Sequence, residues 1–159
     1  MSLQVTRQAG KNKGSHVLWL WGPVAGYCAL IFLVSAQSDL SLPAFPGSNS
    51  DKVAHILEYG VLGILWARAA KTSWPHWTFL LVLASISLFT GLYGVIDEWH
   101  QLYVPGRSAD WHDALADLCG GTLGGLGYLI GVQVLRRRTM VDSTSMDQRR
   151  GLSPSGIRD

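Results

Sequence analysis

The sequence predicts an all-α protein: an integral membrane four-helix bundle with its N- and C-termini cytoplasmic. Three observations carry that prediction. Four apolar runs stand at about 17–36, 53–70, 76–97 and 113–135. Crossing roughly 30 Å of hydrocarbon takes about 20 mostly apolar residues. The basic residues then sort consistently to one side of the crossings. Polar residues inside the last three runs recur at helical spacing, so each run reads as a helix with one polar face. A composition of 48% hydrophobic and 15% charged residues agrees with a single membrane domain.

Residues 1–15 are polar and carry Arg7, Lys11 and Lys13, which defines a cytoplasmic N-tail. Val17 to Ala36 forms the first crossing. A secretory signal is the alternative, with Val34-Ser35-Ala36 as its cleavage site. The apolar run is longer than a signal core of about 7–15 residues, and three more runs follow, so a retained helix is preferred. A loop with Pro43, Pro46 and Gly47 leads to Asp51, which suits the N-terminus of the second helix in shape and charge. His55 and Glu58 make this run the weakest of the four. Arg68 and Lys71 end it, and Trp74-Pro75 closes a short loop. The third helix runs from His76 to about Tyr103, and Pro105-Gly106 forces a turn. Ser108 or Asp110 caps the fourth helix, and Arg136-Arg137-Arg138 ends it. The domain therefore covers 16–138, and the polar tail 139–159 reads as disordered. Cys28 and Cys119 lie at membrane depth and read as small packing residues. The seven tryptophans fall near helix ends, as an interfacial belt. Of these, Trp99 and Trp111 come nearest to the polar residues described next.

Four crossings place every one of the thirteen basic residues except Lys52 and Arg107 on the cytoplasmic side. Leaving out the second run would split them between the two sides.

The densest polar segment lies between Tyr93 and Asp117, flanked by uncharged stretches. Asp51, His55, Glu58 and Tyr59 share a face of the second helix, with Lys52 beside them. Tyr93, Asp97, His100 and Gln101 share a face of the third, with Glu98 beside them. Asp110, Asp113 and Asp117 share a face of the fourth. At about 1.5 Å per residue, each stripe descends roughly 10–12 Å from the same outer rim. An ionisable group facing lipid costs at least about 2.5–3.5 kcal/mol, so the stripes should face one another around an outward pocket. Three glycine pairs at spacing four, 120/124, 121/125 and 127/131, would let the helices approach closely beneath it. The plain alternative is that these groups only pair with one another between helices, since Lys52 and Arg107 have many carboxylate partners.

Arg107 on its turn can fork onto a phosphate or carboxylate, with Lys52 as a second positive charge. The surrounding acids argue against a bare anion and for a cation or a proton-handling role. His55, Asp97, Glu98 and Asp113 are the acid–base candidates. His55, His100 and His112 with Asp97, Glu98 and Asp113 have metal-ligand chemistry. None shows the His-Glu-x-x-His spacing, so no metal or cofactor is assigned. A Gly-x-Ser-x-Gly elbow, a phosphate loop and a dinucleotide signature are all absent, and nothing points to nucleic acid.

Two blocks resemble the VanZ-like family of small bacterial membrane proteins. The first is Asp51-Lys52, His55, Tyr59 and Leu62. The second is Asp97-Glu98, Gln101, Pro105-Gly106-Arg107, Asp110 or Asp113, and Gly120. The sequence departs at Asp117, where the family pattern favours Asn. The resemblance implies a multi-pass protein of the bacterial cytoplasmic membrane. It also implies a link to the cell envelope, because the founding member is associated with low-level teicoplanin resistance.

Three functions follow as expectations. The first is an envelope factor binding an anionic lipid or a glycopeptide through Lys52 and Arg107. The second is an intramembrane hydrolase or transferase acting on a phospholipid-like substrate. The third is a small ion or proton transporter using Glu58 and Asp117, which four short helices would support best as an oligomer.

Overall fold

The computed structural model describes residues 2–38 and 50–151. Its regular structure is four helices: α1 (Ser2–Ser35), α2 (Ser50–Ser73), α3 (Phe79–Gln101) and α4 (Trp111–Gly151). Each holds a stretch long and apolar enough to cross a bilayer: Gly14–Ser35, Asp51–Ser73, Phe79–Gln101 and Trp111–Ser143. The second run is thus a crossing-length helix despite its ionisable residues. Most of the expected loop between the first two helices, residues 39–49, lies outside the described residues, as does the tail beyond 151.

The helix ends follow local chemistry. Thr78 caps α3, its side-chain oxygen accepting the Leu81 N–H at 3.2 Å. Asp110, one of the two residues anticipated as the α4 cap, does the same for the His112 N–H at 2.9 Å. Between α3 and α4 the Arg107 N–H bonds the Val104 carbonyl at 3.1 Å, and Gly106 has φ +82°. Proline then glycine at the centre of such a turn is the type II pattern, which requires positive φ at its third residue.

Two ends differ from expectation. α1 is already helical from Ser2, and α4 continues past Arg138 to Gly151, where the composition predicts a disordered tail. Between Gly131 and Gly151 there is no glycine or proline, so nothing local breaks the helix.

The chain forms two compact units, Met1–Tyr128 and Leu129–Asp159. The second is built on the continuation of α4. Within the first, α2 is the central helix. Its most apolar window is 39% buried, against 17–22% for those of the other three. Tyr59, Leu62, Ala67, Ala69 and Ala70 are wholly enclosed. A helix wrapped by protein can carry charge that a lipid-facing helix cannot, which is why the most polar of the four occupies the middle.

Close approach is bought with glycine. A Cβ on Gly63 would collide with the backbone of Gly121, and one on Gly124 with the backbone of Gly60. One on Gly125 would sit 2.7 Å from Ile86 Cδ1. The first two anticipated glycine pairs therefore seat α4 on α2 and α3. Gly127, from the third pair, has no such contact among the described residues.

The tryptophans divide. Trp19, Trp99 and Trp111 are exposed, as an interfacial belt requires. Trp21 instead packs edge-on against Trp66 at 5.0 Å and donates to Ser73 Oγ at 3.1 Å. Trp66 donates to Ser85 Oγ at 3.2 Å and stacks on Phe89. These two tie α1, α2 and α3 together, so they serve as core residues.

Candidate functional site

The end of α1, the start of α2, the end of α3 and the start of α4 meet at one end of the bundle. Two linked features lie there: a charged network and a small pocket.

Lys52 starts the network. Its Nζ donates to Asp113 Oδ1 at 2.7 Å and to Asp110 Oδ2 at 3.0 Å, joining α2 to the start of α4. Asp110 Oδ1 also accepts from the His112 backbone and meets the His112 ring at 2.7 Å. These donors, the His112 backbone N–H first, then Lys52 and the His112 ring, hold the Asp110 carboxyl well below the usual range. The Asp110 N–H donates to Glu98 Oε2 at 2.7 Å, which brings in α3. Deeper, His55 Nδ1 lies 2.8 Å from Asp117 Oδ1. Asp117 is wholly buried and His55 is 6% exposed. Glu98 Oε1 and Asp117 Oδ2 have no hydrogen-bond partner among the described residues.

The pocket lies alongside and has a volume of about 60 Å³. α1 lines it with Val34 and Ser35, and α2 with Asp51, Ala54, His55 and Glu58. α3 adds Asp97 and Gln101, and the turn adds Arg107. Asp97 Oδ2 accepts from Gln101 Nε2 at 3.1 Å, which holds both side chains in place. Arg107 Nε donates to the Gln37 carbonyl at 3.4 Å. Its terminal nitrogens have no partner among the described residues.

The three stripes anticipated from sequence do converge. Asp51, His55, Glu58, Asp97, Gln101 and Arg107 line the pocket. Lys52, Glu98, Asp110, Asp113 and Asp117 form the network beside it. Tyr59 and Tyr93 do not line the pocket. Tyr59 is fully buried and its hydroxyl has no hydrogen-bond partner among the described residues, and Tyr93 donates to the Cys28 carbonyl of α1 at 2.6 Å. Among the metal candidates, His100 stacks on Phe32 at 4.1 Å, and exposed His112 pairs with Asp110. Among the described residues, only His55 joins carboxylates in groups that could hold a metal ion, one with Glu98 and Asp117 and one with Asp51 and Asp113.

Sequence reading missed two contributions. Val34 and Ser35 carry no charge signal, so their place on the pocket wall was invisible. Gly94 admits Asp117: a Cβ there would sit 2.7 Å from Asp117 Oδ2 and 2.8 Å from Asp117 Cβ. A lone glycine in an apolar helix did not announce that role.

Fold and site together define a small multi-span helical membrane protein with an ionisable network buried at one end of its bundle. A family model described as VanZ/LLP1 matches residues 11–133. The chain belongs to the VanZ/LLP1 family. No curated protein and no solved structure gave a significant match.

Proposed function

We propose that the protein is a cell-envelope factor that holds the phosphate-bearing head group of a membrane lipid in this pocket, on the extracytoplasmic side. One observation carries the reading. Arg107 stands on the pocket wall with no partner for its terminal nitrogens among the described residues, while Lys52 is held by Asp110 and Asp113. A guanidinium matches phosphate oxygens in a two-pronged geometry. The earlier expectation gave the anion to Lys52 and Arg107 together; the reading now rests on Arg107 alone.

Size and charge narrow the ligand. A volume of about 60 Å³ has room for roughly four waters, far below the 300 Å³ or more of a drug-sized site. That is room for one charged end of a head group, the rest lying at the pocket's open mouth, and far too little for a glycopeptide. Asp51, Glu58 and Asp97 line the same walls and would repel a second anion. They favour a head group whose other end is an amine, as in phosphatidylethanolamine. The outward placement follows the basic-residue bias, which leaves only Lys52 and Arg107 outside.

The test is lipid retention by the full chain in detergent, read by native mass spectrometry. Wild type should retain phosphatidylethanolamine in preference to phosphatidylglycerol. Arg107→Ala should weaken retention about tenfold or more, from the loss of charge-assisted hydrogen bonds. Equal retention by wild type and Arg107→Ala would reject the reading.

A further inference from the structure

We propose that His55, Glu98 and Asp117 form a binding site for one divalent transition-metal ion, such as Zn²⁺ or Mn²⁺. One donor atom from each residue lies within 4.8 Å of the other two. The three residues come from α2, α3 and α4, and all are buried. The site shares His55 with the pocket wall, but the lipid reading rests on Arg107, which is not one of its ligands.

Three physical points support it. The first is unmet bonding. Glu98 is 6% exposed and Asp117 is fully enclosed, yet Glu98 Oε1 and Asp117 Oδ2 lack any hydrogen-bond partner among the described residues. Buried carboxylate oxygens left this way cost free energy, and coordination of an ion is one of the few ways to recover it. The second is charge. Two carboxylates and a neutral imidazole carry two negative charges, which a divalent cation balances within a low-dielectric interior.

The third is geometry. Nitrogen and oxygen donors sit about 2.0–2.2 Å from such an ion, so neighbouring donors lie about 3 Å apart. His55 Nδ1 and Asp117 Oδ1 are already at 2.8 Å. Glu98 has to close by no more than roughly 2 Å, within the reach of a side-chain rotation. One imidazole with two carboxylates suits borderline transition metals better than calcium or magnesium, which prefer all-oxygen shells. His55 also lines the pocket, giving an ion a route in. The other group, Asp51, His55 and Asp113, is the weaker choice. Asp51 is exposed, and Asp113 is already engaged by the Lys52 ammonium at 2.7 Å.

The experiment uses the full chain, purified in detergent through a histidine-free tag and stripped with chelator. It is then equilibrated with Zn²⁺ or Mn²⁺, passed over a desalting column and measured for bound metal. Wild type and Arg107→Ala should each retain about one ion per chain, whatever happens to lipid binding. Glu98→Gln and Asp117→Asn should lower affinity at least about tenfold. No retained ion in wild type, or wild-type retention by both carboxamide variants, overturns the proposal. Should those variants fail to fold, His55→Cys loaded with Co²⁺ decides. A thiolate-to-metal absorption band is expected, and its absence from folded, Co²⁺-treated protein overturns the site.

Discussion

His55 Nδ1 lies 2.8 Å from Asp117 Oδ1, although the residues are separated by 62 positions in the chain. Both belong to the buried interior, and both lie on faces that sequence spacing had already marked as polar. Removing one partner of a buried hydrogen-bonded pair strands the other. Asp117→Ala should therefore destabilise the protein by about 1–3 kcal/mol, read as a lower midpoint of thermal unfolding in detergent. Asp117→Asn preserves shape and hydrogen bonding and should cost clearly less. Equal losses in the two variants would show that the pair does not matter in this way.

The glycines offer a matched comparison. Gly63→Ala drives a methyl group into the backbone of Gly121, and Gly94→Ala drives one into Asp117. Backbone cannot rotate aside, so Gly63→Ala should cost about 1–3 kcal/mol or more. Gly127→Ala meets no atom within 4 Å and should be neutral, or stabilising by up to about 1 kcal/mol through helix propensity. The same unfolding measurement ranks all three, and the ranking is the prediction.

Asp110 sets a pH dependence. Its carboxyl titrates below the usual range in the folded protein, chiefly through the His112 backbone N–H and then Lys52. A depressed carboxyl contributes stability that is fully present above its unfolded value, about 3.9. That contribution should fade as pH falls below about 4 and vanish once the folded carboxyl is protonated. Wild type should therefore be more stable than Asp110→Asn at pH 7. The gap should narrow steadily on acidification toward pH 3. A gap that stays constant across that range would contradict the linkage.

Tyr93 was among the residues proposed from sequence to bind ligand, yet its hydroxyl donates to the Cys28 carbonyl at 2.6 Å. Tyr93→Phe should lose about 0.5–1.5 kcal/mol of stability, the usual net worth of one hydrogen bond. Retention of phosphatidylethanolamine should stay at the wild-type level. A selective loss of lipid without a loss of stability would return Tyr93 to the pocket.

The all-α fold and the four crossings were legible in the sequence because run length and apolar composition are local properties. So were the polar faces, since residues three, four and seven apart must share one side of a helix. The type II turn at 104–107 was legible from Pro105-Gly106, because only glycine takes its backbone conformation without strain. The length of α4 was misread, because polar composition resembles disorder even where no residue breaks the helix. Only the tertiary structure decided which acid meets which base. Lys52 could reach several carboxylates, and the packing of α4 on α2 committed it to Asp110 and Asp113, while Arg107 stands on the pocket wall. Spacing along one helix sets a face, but the partner across the gap depends on how closely two backbones approach. Here the glycine contacts between α2 and α4 set that distance.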